Sequence, residues 1–225
     1  MEEELDFIIK YSFSNFLKDC PVGEDPLEFV NEIDFEIYLA NELGDLQEQV
    51  AKGKISQILF SLAMDCGFPL SDVMDATHSI SQMSGILFEW DDSKDFWDKI
   101  DTYFDYHPLE NYDVFFLETL EVIARYRGKD LGGKIINNLI ERFYSSCGLW
   151  VLKAFPMQHD VGIKNEKEEN SSDWNRKMEY PKMELDFEKA QYQLFNYYKK
   201  KGFQNPFDME YFIARPFDII NKNEY

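Results

Sequence analysis

The sequence predicts an α/β domain, and three observations carry that prediction. From residue 113 onward, apolar runs of strand length alternate with segments of helical periodicity, in the order strand–helix–strand–helix–strand. The first sixty residues add short stretches in which apolar and polar side chains alternate, as in half-buried strands. Hydrophobic residues make up 44% and aromatic residues 16% of the 225 positions, a composition that builds a core and argues against disorder.

In chain order, segments 7–13 and 33–39 read as strands, with a capped helix start between them at Asp25-Pro26-Leu27-Glu28. A strand follows Gly53 over 54–62. Phe68-Pro69-Leu70-Ser71-Asp72 opens a helix with the stripe Val73, Ala76, Ile80, Met83 and Leu87. A second, acidic helix over 93–104 places Phe96, Ile100 and Tyr103 on one side, and Pro108 and Asn111 close this helical insertion. The run 113–123 is a strong strand, and an amphipathic helix follows with Leu131, Ile135, Leu139 and Phe143 stacked on one face. After Gly148 comes an apolar strand over 149–155, stopped by Pro156. Residues 159–185 are polar and charged and read as a surface loop, with Trp174 available to pack on a substrate. The helix 186–201 carries Phe187, Ala190, Leu194 and Tyr198 on one stripe, Gly202 caps it, and a last strand lies near 209–214, before Pro216. All of this fits one domain over 1–225.

Charge is distributed unevenly. The net charge is −20; residues 1–110 hold six Lys, no Arg and 25 acidic residues, whereas the rest of the chain is nearly balanced and holds all five arginines. Nucleic acid is disfavoured as a partner, since a phosphate backbone needs clustered cations. No apolar stretch is long enough to span a membrane. The acidic start lacks the basic and apolar regions of a secretory signal, so the expected location is cytoplasmic. Cys20, Cys66 and Cys147 are scattered, as are His78, His107 and His159, and no metal is expected. A homodimer is left open.

The chemistry-bearing motif is the turn Arg125-Tyr126-Arg127-Gly128-Lys129-Asp130-Leu131-Gly132-Gly133, between a strand and a helix. Gly128 permits a positive φ and a close approach to the backbone. The helix N-terminus offers unpaired N–H groups and partial positive charge. Arg125, Arg127 and Lys129 add full charges. The turn therefore reads either as a pyrophosphate cradle or as an ordinary strand-to-helix turn with solvated basic residues. It lacks the endings of a Walker loop and of a Rossmann fingerprint.

Leu120-Glu121-Val122 followed by this turn resembles the acetyl-CoA motif of the GNAT superfamily of N-acetyltransferases. Tyr198-Lys199-Lys200-Lys201-Gly202-Phe203 resembles that superfamily's second signature, Tyr-x-x-x-Gly-Phe. The resemblance covers 113–215, interrupted by 159–185, with 111–215 as the cofactor-binding core and 1–110 as the acceptor side. It implies a mixed sheet, flanked by helices and splayed between the strands at 114–123 and 149–155. Pantetheine would lie in the gap, bonded to the backbone of Leu120, Glu121 and Val122. The pyrophosphate would sit on N–H groups of Arg127, Gly128, Lys129, Asp130, Leu131, Gly132 and Gly133, with Arg125 beside them.

The resemblance further implies direct attack of an amine on the thioester, with Tyr198 protonating the departing thiolate and Tyr197 as its competitor. Glu118 is the candidate general base, and strand alternation places Glu121 on the opposite face. Asp130 departs from the motif, which has Gly or Ala there; as an N-cap its carboxylate would fold back onto the helix. The expected activity is acetyl-CoA-dependent transfer to a small-molecule or protein amine. The acidic first half points to a cationic acceptor or simply to a solvated surface. The alternative function is a non-catalytic acyl-CoA-binding module.

Overall fold

A computed structural model of the chain describes residues 6–13, 24–87, 93–104, 109, 111–160, 172–206 and 210–223. Among them are six strands in one open mixed sheet, with eight helices. The strands are β1 (Asp6–Phe13), β2 (Val30–Ala40), β3 (Leu46–Ile58), β4 (Val114–Val122), β5 (Leu149–Lys153) and β6 (Tyr211–Ala214). Their order in the sheet is the order in the chain. All neighbours are antiparallel except β4 and β5, which run parallel because α5 (Leu131–Arg142) crosses over between them.

The sheet separates two cores. On the first face, Ile33, Phe35, Ile55, Phe115, Trp150 and Phe212 meet Ile135, Ile136, Leu139 and Ile140 of α5. The helices α6 (Asp173–Met178), α7 (Phe187–Lys200) and α8 (Pro216–Asn223) complete this side, with α8 packed on α5. Phe115 stacks between Phe143 and Trp150, at centroid distances of 4.9 and 5.1 Å. On the second face, Val114, Phe116, Val151 and Ile213 meet the helices inserted between β3 and β4. These are α1 (Phe60–Asp65), α2 (Leu70–Met74), α3 (His78–Leu87) and α4 (Ser93–Tyr103). The expected helical insertion is therefore the second layer of the domain.

Several boundaries differ from expectation for local reasons. β3 begins at Leu46, runs through Gly53 and ends at Ile58, so residues 60–62 belong to α1 and not to a strand. Gly53 sits inside β3 because a Cβ there would overlap the Phe35 ring and the Thr119 carbonyl. The single helix expected after Phe68 is two, broken after Met74, because the Thr77 hydroxyl accepts from Ile80 N–H (3.2 Å) and starts α3 afresh. On α4 Trp97 and Ile100 are buried, as is Phe104 just beyond it, whereas Tyr103 is exposed; the Phe96 side chain lies outside the described residues. Pro216 opens α8 at the position where a helix tolerates proline.

The stretch 159–185 is not a surface loop over its described part. Residues 173–178 form α6, a 3₁₀ turn follows at Tyr180–Lys182, and Met178 and Tyr180 are buried in the first core. Residues 161–171 lie outside the described residues, as do Cys20, His107, Pro108 and Met209. Among the described residues no helix is long and apolar enough to cross a membrane.

Candidate functional site

The parallel pairing of β4 and β5 is short. It runs from Val114↔Leu149 to Leu117↔Leu152 and stops. Beyond that fork the β5 chain stays with the β6 side, where Ala154 N–H bonds to Glu210 O (2.7 Å). β4 continues through Glu118, Thr119, Leu120, Glu121 and Val122, paired only with β3, and these five residues are half-buried whereas the preceding four are buried. A strand with one neighbour leaves alternate N–H and C=O groups directed to its open side.

The fork coincides with a β-bulge. The register passes from Ile55↔Leu117 to Lys54↔Thr119, so Glu118 is the extra residue. Cross-strand partners share a face. Leu117, Leu120 and Val122 therefore lie on the first face, opposite Ile55, Gly53 and Ala51, while Thr119 and Glu121 lie on the second, opposite Lys54 and Lys52. The Glu118 carboxylate is also on the second face, where it accepts a short hydrogen bond from Ser56 Oγ. Simple alternation put Glu118 and Glu121 on opposite faces; the bulge puts them on the same one.

The two carboxylates differ in surroundings. Glu121 accepts from Trp174 Nε1, lies 3.8 Å from Lys52 Nζ, and has Tyr180 beside it, whose phenol is pushed up by burial and by this carboxylate. Lys52 also stacks over Trp174, 4.8 Å from the ring centroid. Glu121 is thus the anchor that holds α6 on the outer end of β4, and Trp174 is committed to it. Glu118, by contrast, makes no ion pair among the described residues.

The turn after β4 is held by Arg127. Its Nε donates to Val122 O (2.8 Å), its Nη2 lies 3.4 Å from Met178 Sδ, and burial lowers its pKa. Arg125 lies 3.8 Å from Glu48, and both Arg125 and Lys129 stand over the Tyr126 ring at 5.5 Å. The three cations expected to line a cradle therefore do not converge on one point. The backbone does converge. Gly128 (φ 72°) and Asp130 (φ 57°) are both left-handed, and α5 begins immediately after them. The first intrahelical bond runs from Lys134 N–H to Asp130 O, which leaves the N–H groups of Leu131, Gly132 and Gly133 ahead of it.

Asp130 does not cap these groups. Its backbone is left-handed, no side-chain cap bond forms, and the carboxylate pairs instead with Lys201 Nζ at 2.7 Å, beside Gly133 in the first turn of α5. The expectation that Asp130 folds back onto α5 is thereby corrected. Lys201, the last residue before Gly202, is the cation that reaches this end of α5: a Cβ on Gly133 would overlap both its ammonium and the Asp130 carboxylate. Three consecutive lysines precede Gly202, and only the packing of α7 decides which one points inward.

The two tyrosines of α7 divide. The Tyr197 hydroxyl faces Gly132, where an added Cβ would lie 3.2 Å from it, next to Leu120 of the open strand. Tyr198 packs among Tyr197, Phe203 and Phe212, with centroids 5.4 to 6.3 Å away, and burial pushes its phenol up to about 12. Tyr198 is therefore protonated at neutral pH, and the competitor Tyr197 is the one set against the turn. Cys147 is buried with its thiol pushed up to about 12 by that burial, so it is no nucleophile, and Cys66 is exposed. Among the described residues no group of His, Cys, Asp and Glu is arranged to hold a metal ion. No family model matches the chain, nor does any curated protein or solved structure.

Proposed function

We propose that the chain is an acetyl-CoA-dependent N-acetyltransferase with a GNAT-like fold, transferring acetyl directly to an amine. The observation that carries this reading is the parting of β4 from β5 after Leu117↔Leu152, with the uncapped start of α5 beside the open strand. The open backbone of Leu120 and Glu121 suits an amide-rich arm such as pantetheine. The N–H groups of Leu131, Gly132 and Gly133 suit a pyrophosphate, with Lys201 as the nearest cation. Arg127 acts by fixing the turn and not by touching the ligand.

In the reaction, the acceptor ammonium gives a proton to Glu118, and its nitrogen then attacks the thioester carbonyl carbon. A C–N bond forms, the C–S bond breaks, and sulfur leaves with the electron pair. A tyrosine hydroxyl of α7, Tyr198 or Tyr197, returns a proton to the sulfur. Binding both partners side by side supplies most of the acceleration. The second reading, a non-catalytic acyl-CoA-binding module, is favoured by the packing of Tyr198 among aromatic rings. Calorimetric titration with acetyl-CoA, followed by a thiol-release assay over an amine panel, separates the two. Saturable binding with amine-dependent thiol release is the expected result; binding without release under every amine establishes the module, and absence of binding removes both.

A further inference from the structure

The two edges of the sheet are built differently. β6 is four residues long, all of them buried, and Gln204 covers its outer side by exchanging two backbone bonds of 2.8 Å with Ile213. β1 is eight residues long and pairs with β2 from Asp6↔Ala40 to Phe13↔Ile33 without a shift in register. Its outer side is unpaired among the described residues. A regular edge of this length, with no proline, glycine or bulge to blunt it, is a template for another strand.

The side chains along β1 are apolar or aromatic except Asp6, Lys10 and Ser12. Phe7, Ile9, Tyr11 and Phe13 lie on the first face, opposite Leu39, Ile37, Phe35 and Ile33. The first three are half-buried against the first core, whereas Phe13 is 75% exposed. Asp6, Ile8, Lys10 and Ser12 lie on the second face, opposite Ala40, Tyr38, Glu36 and Asp34. Asp6 and Lys10 are exposed, and the Lys10 ammonium stands over the Tyr38 ring at 5.2 Å. β1 is therefore neutral in a chain of net charge −20, with its two opposite charges four residues apart on one face.

That spacing makes the edge complementary to itself. A two-fold axis normal to the sheet pairs two copies of β1 antiparallel and keeps their first faces on the same side, so the register is centred on a residue. Centred on Lys10, it sets two ammonium groups opposite each other. Centred on Ile9, it sets both charges against neutral side chains, and centred on Phe7 it sets Asp6 against Ile8. Centred on Ile8, it sets Asp6 against Lys10 of the second copy and Lys10 against Asp6, with Phe7 against Ile9 on the other face. Opposite charges and apolar side chains directly across stabilise a strand pair, and like charges destabilise it. We propose that β1 is a dimerisation edge whose occupant is β1 of a second copy of this chain, antiparallel and centred on Ile8, which joins the two sheets into one. This pairing does not rest on the acetyltransferase reading.

Sedimentation velocity of the full chain, from micromolar to near-millimolar concentration at about 0.15 M salt, tests it. A reversible monomer–dimer equilibrium is expected. Asp6→Lys and Lys10→Asp each set like charges face to face twice and should weaken the dimer about tenfold or more, while the two substitutions combined should return it to within about threefold of the parent. Thermal unfolding of each variant confirms that the fold is kept. Should a single variant fail to fold, Ile8→Cys decides: its two copies would face each other across the axis at about 4.5 to 5.5 Å, within disulfide reach, and mild oxidation should yield more cross-linked dimer than the parent gives. A chain that stays monomeric throughout leaves the edge to some other strand and overturns the proposal. A dimer that ignores the single charge variants, or that the combined variant does not restore, overturns it as well, as does Ile8→Cys cross-linking no better than the parent.

Discussion

If the turn binds an anion as proposed, Asp130 and Lys201 set its affinity. The carboxylate and the Lys201 ammonium lie paired at the start of α5, where the proposed function puts the pyrophosphate. A bound pyrophosphate must therefore compete with Asp130 for Lys201. Asp130→Ala is expected to tighten acetyl-CoA binding by about five- to tenfold, since a carboxylate side chain 55% exposed is screened but not silent. Lys201→Met is expected to loosen it by a similar factor. Calorimetry on both variants checks the opposed signs, and a change of the same sign in both would contradict the competition. The sequence showed Asp130 as a departure from the motif. Its left-handed φ of 57° and its partner 71 residues away were not legible, because both depend on how α7 docks.

At the scale of elements, apolar periodicity was a sound guide wherever a segment buries one regular face. β2, β4, α5 and α7 lie close to their expected positions for that reason. It failed where tertiary contact outweighs composition. The segment 172–185 is polar by count, yet Met178 and Tyr180 are buried and Trp174 is bonded to Glu121. A helix of six residues is held by such contacts and not by its own propensity. Met178→Ala is therefore expected to destabilise the protein by about 2–5 kcal/mol, as for other buried methionines. Urea unfolding followed by tryptophan fluorescence measures it; a change below about 0.5 kcal/mol, the range of ordinary surface substitutions, would return the segment to the status of a surface loop. The bulge at Glu118 is a second such case. Alternation along β4 is readable in the sequence, but one inserted residue reverses its phase and brings two carboxylates to the same face.

Across the whole molecule, the sheet divides the labour between its faces. The first carries α5, α6, α7 and α8; the second carries α1 to α4 and, where β4 leaves β5, the half-buried side chains of Glu118 and Lys153. Tyrosines are a molecule-wide feature of this packing. Tyr11, Tyr180, Tyr197, Tyr198 and Tyr211 all have phenols raised, chiefly by burial. In the unfolded chain they ionise near pH 10, so above that pH the unfolded state holds fewer protons than the folded one, and stability falls as pH rises. This contribution is complete below pH 10 and is lost through pH 12, where Tyr198 itself titrates. The urea midpoint is expected to show no tyrosine-linked fall up to about pH 9.5 and to drop steeply from pH 10 to 12; a midpoint unchanged to pH 12 would contradict the burial of these phenols.

The central claim is that one turn and one open strand together hold acetyl-CoA, and amide chemical shifts measured during an acetyl-CoA titration test it most directly. The account predicts saturable shifts concentrated at residues 118–122, 128–134 and 197–203, with the amides of β1 and α2 unmoved. No shifts at saturating acetyl-CoA, or shifts confined to residues outside those segments, would contradict it.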